Sequence, residues 1–188
     1  MRRSASVLFL LSLLCFVTTV AARGQAPESA TARQFNITVG GMGSAFRPGG
    51  GSNPVYGTTN YFAGFGTCFD LHFTHWVQIE GEGRWLRSHE YAGEHQDHYL
   101  IGPKVPVVQF GRAQVYGKAL VGLGKMTFPN HSGYGTFSAL AFGGGVDYKF
   151  SRKVMVRGDF EFQDWPKFLP DITMRTYGVT LGMAYRVF

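Results

Sequence analysis

The sequence is poor in cysteine and in charge, and it has no apolar run long enough for a membrane-spanning helix. It holds two cysteines in 188 residues, and only 16% of its residues are charged. The apolar run Val7–Val20 covers 14 residues, short of the roughly 20 a spanning helix needs, and no second candidate follows Ala22. Arg2 and Arg3 precede the run and Val20-Ala21-Ala22 ends it. A basic start, an apolar middle and a small-residue cleavage site make a secretory signal. Cys15 leaves with the signal, and Leu14 before it is too large for a lipoprotein cleavage site, which argues against a lipid anchor. Cys68 is then alone, which excludes an intramolecular disulfide in the mature chain. Loss of the signal lowers the net charge from +6 to +4. That modest, scattered excess does not suggest nucleic acid as a partner. The expected organisation is a signal peptide over 1–22, a flexible leader over 23–33 and one β-barrel domain over 34–188.

Glycine and aromatics are abundant: 26 Gly, 17 Phe and 9 Tyr. With so little charge, this composition indicates β structure. Period-two alternation marks eight strands: Phe35–Phe46, Thr58–Asp70, Trp76–Arg87, His98–Val107, Ala113–Met126, Thr136–Phe150, Val154–Trp165 and Thr173–Phe188. In the last, Tyr177, Val179, Leu181, Met183, Tyr185 and Val187 share one face, opposite Thr176, Gly178, Thr180, Gly182, Ala184 and Arg186. In the seventh, Val154, Val156, Phe160 and Phe162 oppose Arg157, Asp159, Glu161 and Gln163. In the third, Val77, Ile79 and Trp85 oppose Gln78, Glu80, Glu82 and Arg84. The fourth and fifth alternate poorly, and their register is left open.

Connection lengths take turns. Arg47–Gly57, Ser88–Asp97, Thr127–Gly135 and Asp164–Ile172 read as long loops rich in Gly, Pro, Asn and His. Those around Phe73–His75, Val108–Arg112 and Ser151–Lys153 are short. Long loops at one end and turns at the other describe an up-and-down antiparallel barrel. Asp70-Leu-His-Phe73-Thr-His-Trp-Val77 also echoes Asp147-Tyr-Lys-Phe150-Ser-Arg-Lys-Val154 at a spacing of 77 residues, which shared turn chemistry accounts for.

Alternation alone does not say which face meets solvent. A soluble exported barrel of the lipocalin kind turns its apolar face inward around a ligand; an outer-membrane barrel turns it outward into lipid. Three features favour the membrane arrangement. The polar faces carry small residues (Gly143, Gly145, Gly178, Gly182, Ala184) that suit a crowded narrow lumen. Their charges are of both signs, Glu80, Glu82 and Arg84 against Arg157, Asp159 and Glu161, as a desolvated interior requires. Tyr177 and Tyr185 flank the apolar stretch of the last strand like an interfacial girdle.

On these residues the chain resembles the small eight-stranded barrels of the OmpA/Opa surface-protein type, in the broad outer membrane protein beta-barrel family. The resemblance rests on the Gly-rich first strand, the hairpin from Gly143–Phe150 into Val156–Phe162, and the aromatic ending Met183-Ala-Tyr-Arg-Val-Phe188. It implies an eight-stranded antiparallel transmembrane β-barrel in the outer membrane of a Gram-negative-type bacterium, recognised at its C-terminus by the barrel-assembly machinery. The ending departs from the family pattern, because Arg186 stands where an aromatic is usual two residues before the final Phe. The peptidoglycan-binding domain of longer relatives is not expected.

Candidate chemistry is sparse. The lumen charges could line a narrow small-solute pore, with Lys104 and Lys118 adding positive charge, or pair as a plug; mixed signs favour the plug. His89, Glu90, Glu94, His95, Asp97 and His98 are metal-ligand types without a His-Glu-x-x-His spacing, and no metal or cofactor is expected. His131-Ser132 has no acid beside it, and His72 and His75 belong to the turn end, so no catalysis is expected. Gly41-Met-Gly43 and Gly122-Leu-Gly124-Lys125 read as strand glycines rather than nucleotide loops. Arg47, Tyr56, Tyr91, Tyr134, Trp165 and Lys167 are expected in exposed loops, facing an extracellular ligand or the phosphates of lipopolysaccharide, with membrane lipid around the barrel wall.

Overall fold

The structure, a computed structural model, describes residues 36–49, 61–74, 76–89, 93–129, 132–169 and 172–187. The expected signal peptide and leader lie outside these residues, as do His75, Glu90, Tyr91, Tyr56, His131 and Phe188. All eight expected strands are present: β1 (Asn36–Gly49), β2 (Phe62–His72), β3 (Gln78–Ser88), β4 (His95–Phe110), β5 (Ala113–Thr127), β6 (Tyr134–Lys149), β7 (Val154–Leu169) and β8 (Ile172–Arg186). Each pairs antiparallel with its chain neighbour, and β1 pairs with β8 to close the barrel. Gly43, for example, stands opposite Phe65 on one side and Leu181 on the other. Closure leaves no unpaired strand edge.

The connections correct the expected loop lengths. Only the β1–β2 connection, 50–61, is long; the others on that side are 89–94, 128–133 and 170–171. The seventh connection is thus not a long loop, because β7 and β8 extend through most of it. Its Pro, Lys and Asp residues read as loop, yet ladder bonds join backbone groups whatever the side chains. Pro166 has no N–H to give, and the β7–β8 register breaks between Trp165 and Leu169, where a proline can sit in a strand. The same reason places a register shift between Pro106 and Val108 in the β4–β5 pair. That hairpin turns through Gly111 and Arg112, with Gly111 at φ 57°, a left-handed conformation glycine takes without steric cost.

The core is the barrel's own interior. One face of every strand points inward and is buried; the other carries exposed Val, Leu, Ile, Phe and Tyr. The poor alternation of β4 and β5 now has a cause. Leu100, Leu120 and Met126 are apolar but point inward with Lys104 and Lys118, so polar and apolar residues share one face.

Candidate functional site

The lumen is filled by side chains in two stacked regions. On the turn side lies a continuous ion network of Asp70, Glu80, Glu82, Arg84, Lys104, Lys118, Asp147, Arg157, Asp159 and Glu161, every one buried. The Lys104 ammonium sits 2.6 Å from Asp147 and 3.4 Å from Asp70. Arg157 donates to Asp147 through Nε at 2.8 Å and to Asp70 through Nη2. Glu80 links this group to the next, lying 3.6 Å from Lys104 and 3.2 Å from Lys118. Lys118 also reaches Glu82 at 3.2 Å, Glu161 at 3.0 Å and Asp159 at 3.5 Å. Tyr116 donates its hydroxyl to Asp159 and lies beneath Lys104, whose Nζ is 4.0 Å from the ring centre.

Lys104 and Lys118 face each other across the β4–β5 ladder. Like charges directly opposite destabilise a sheet unless compensated, and here carboxylates from β2, β3, β6 and β7 surround both.

Arg84 forms the upper limit of the network. Its Nη1 lies 2.7 Å from Glu82 Oε1, 2.7 Å from Glu161 Oε1 and 3.2 Å from His98 Nε2. Ligand atoms of Glu82, His98 and Glu161 come within 4.8 Å of one another, a grouping with metal-ligand chemistry among the described residues. The guanidinium at their centre is the cation they hold. His98, expected to open the fourth strand, lies inside β4, which begins at His95 and turns the ring into the lumen. Asp97, one residue away, points outward to Arg87.

Above the network the lumen becomes apolar. Phe46, Phe62, Leu86, Leu100, Leu120, Met126, Ala139, Ala141, Trp165 and Met174 form one buried cluster. Trp165, expected in an exposed loop, is 0% exposed. A chain of three inward residues on β7 joins the two regions: the Trp165 indole donates to Gln163 Oε1 at 3.0 Å, and Gln163 Nε2 donates to Glu161 at 2.7 Å. Glycines make room for the large rings. A Cβ on Gly124 would lie 2.1 Å from the Trp165 ring, and one on Gly178 would lie 2.5 Å from that of Phe46.

The sequence echo has a spatial meaning. Opposite walls of an eight-stranded barrel are four strands apart, so β2 faces β6 and β3 faces β7. Asp70 and Asp147 hold the same two cations, Lys104 and Arg157. At the same 77-residue spacing Arg84 meets Glu161 and Glu80 meets Arg157, the latter at 3.5 Å. Sequence reasoning missed Asp70 and Asp147. The signal was present for Asp147, which shares the inward face of Gly143 and Gly145.

The outer wall carries Tyr177, Val179, Leu181, Met183 and Tyr185 of β8, all exposed, with Leu181 at 72%. Aromatics stand at both ends of the wall, Tyr61, Tyr134 and Tyr177 on the loop side and Phe73, Trp76, Phe110, Phe150 and Tyr185 on the turn side, with Phe65, Phe142 and Phe160 between them. Arg47 and Tyr134 belong to strands and point outward rather than standing in loops.

A closed barrel with an apolar outer belt, aromatic borders and a lumen packed with charge is the inverse of a soluble protein, and it defines the class of membrane barrels. The chain belongs to the outer membrane protein beta-barrel domain family, which it matches over residues 9–186. Similar solved structures include Neisserial surface protein A (12% identity, TM-score 0.56, covering 81% of this chain and 97% of that one). The N-terminal β-barrel domain of Pseudomonas aeruginosa OprF is alike at 12% identity and TM-score 0.55, covering 79% and 96%. So is the attachment invasion locus protein Ail of Yersinia pestis, solved with the heparin analogue sucrose octasulfate, at 19% and TM-score 0.51, covering 81% and 97%. At such identities the likeness is one of fold. No curated protein sequence matches the chain.

Proposed function

We propose that the protein is a non-catalytic surface barrel of the outer membrane whose lumen is a structural plug rather than a pore. The observation that carries this reading is the run of buried side chains along the lumen, from Asp70 and Lys104 through Arg84 and His98 to Trp165. A small-solute path needs free width, which an eight-stranded barrel filled by side chains lacks. Tyr177, Val179, Leu181, Met183 and Tyr185 face lipid. The side of the barrel with the long 50–61 connection faces outward from the cell, and the termini of the barrel lie on the periplasmic side with the short turns. The outward end meets lipopolysaccharide or an extracellular ligand, and the C-terminal strand is read by the barrel-assembly machinery.

The test is to fold the mature chain in detergent and compare its electrophoretic mobility with and without boiling, then to record current across a planar bilayer containing it. A heat-dependent shift without stepwise conductance is the expected result. Regular conductance steps would replace the plug by a small-solute pore. Solubility in plain buffer without a shift would return the apolar face to a ligand-binding interior.

A further inference from the structure

The outer wall is not uniform. On β3 the outward positions 81 and 83 are glycine, and a groove of about 400 Å³ runs beside them, with the Phe69 ring against Gly81 and the Tyr99 ring against Gly83. Phe69, Gly83, Trp85, Tyr99, Ile101 and Leu123 line it, across β2 to β5. The Trp85 indole donates to the Tyr99 hydroxyl at 3.1 Å, which fixes the wall at its loop-side end.

Both sides of the groove end in a cation. Arg87 follows Trp85 on the same outward face of β3, and Lys125 follows Leu123 on that of β5, each one pleat repeat nearer the loop side. Between them Asp97 of β4 accepts a hydrogen bond from Arg87 Nη1 at 3.2 Å, and Lys125 stands opposite Asp97 in the ladder and over the Tyr134 ring, 5.7 Å from its centre. Two cations and one carboxylate leave net positive charge beside the mouth of an apolar trough. The Arg87 side chain is 61% exposed and free to engage a second anion.

We propose that this face is a binding site for one phosphorylated glycolipid of the outer leaflet, the lipid anchor of lipopolysaccharide. An acyl chain lies in the groove and a sugar phosphate lies against Arg87 and Lys125. The guanidinium offers phosphate a bidentate fork, the ammonium a point charge, and Trp85 and Tyr99 stand at the depth where amphipathic rings meet head groups. A zwitterionic phospholipid would fill the groove, but its phosphate is offset by its own ammonium and offers the two cations less negative charge than a sugar phosphate. This inference rests on the proposed orientation, which places the Arg87 end in the outer leaflet.

The experiment uses the mature chain folded in detergent and titrated with rough-type lipopolysaccharide, the bound lipid being counted by native mass spectrometry. Chemically dephosphorylated lipopolysaccharide and phosphatidylethanolamine are the comparison probes. One lipopolysaccharide per barrel is expected, with binding weakened at least about tenfold by R87Q/K125Q and similarly by dephosphorylation. Gly83→Val, which narrows the groove beside Tyr99, weakens binding while leaving the cations in place. R112Q/R152Q removes two exposed turn-side cations, at the other end of the barrel from Arg87 and Lys125, and leaves affinity within about threefold of the parent. Unchanged binding by R87Q/K125Q, or an equal loss with R112Q/R152Q, overturns the site. Heat-modifiability and insertion into vesicles are measured on the same preparations. A barrel that inserts but shows no site-specific loss defeats this inference alone, whereas one that fails to insert defeats the functional reading beneath it.

Discussion

The two halves of the lumen are packed by opposite physics. On the turn side, ten buried charges hold one another; on the loop side, Trp165, Phe46 and Met126 exclude water by packing. The ionic half is specific and brittle, because each charge is tolerable in a dry interior only while its partners stay in place. The apolar half is graded, because losing a side chain costs its transfer energy and a cavity. They meet where Arg84 lies 5.1 Å from the Phe46 ring centre and the His98 ring meets that same ring edge-on. A barrel built this way gains a unique arrangement from one half and non-directional stability from the other.

The sharpest way to break the comparison is Arg84→Ala, which leaves Glu82 and Glu161 to share Lys118 as their one remaining cation among the described residues. Unfolding by urea in lipid vesicles should show a loss of about 3–5 kcal/mol. Replacing the set together, Glu82→Gln, Arg84→Met and Glu161→Gln, should recover most of it, since neutral groups of similar volume need no counter-charge. Failure to recover would mean that the ionic half is held by shape rather than by charge.

Trp165→Ala tests the other half. It is expected to cost about 3 kcal/mol by the same assay and to leave the bilayer without conductance steps, because the ion network beneath still closes the lumen. Conductance in this variant would make the apolar cluster the actual seal.

Gly124→Val asks how tightly the loop-side half is packed. Its new side chain meets the Trp165 ring, and overpacking should cost about 2 kcal/mol, read as a lower urea midpoint at unchanged slope. The smallest effect belongs to a pair outside both halves. Arg87→Gln removes the exposed ion pair with Asp97 and should change stability by less than about 1 kcal/mol, a difference that salt abolishes.

The strands were legible because a half-buried strand repeats every second residue. In β8 the apolar set Tyr177 to Val187 and the small polar set Thr176 to Arg186 separate without overlap, and so do β7 from Val156 to Gln163 and β3 from Gln78 to Trp85. β4 and β5 were not legible, because the apolar cluster puts Leu100, Leu120 and Met126 on the face that also carries Lys104 and Lys118. The loop reading of Trp165 failed for a related reason. A Pro and a Lys follow it, and composition could not show that pairing continues past a bulge.

The sequence by itself determined the number of strands, the two-faced pattern of the best of them and the mixed charge of one face, because these are local properties of a pleated chain. Only the tertiary structure decided which charges meet. Arg84 and Glu161 are 77 residues apart and Arg157 and Asp70 are 87 apart, and neither pair exists until β1 closes on β8 and sets the register of every wall. The apolar cluster above them has the same origin. Phe46, Trp165 and Met126 come from β1, β7 and β5, and only closure of a narrow barrel brings three such distant strands within van der Waals reach.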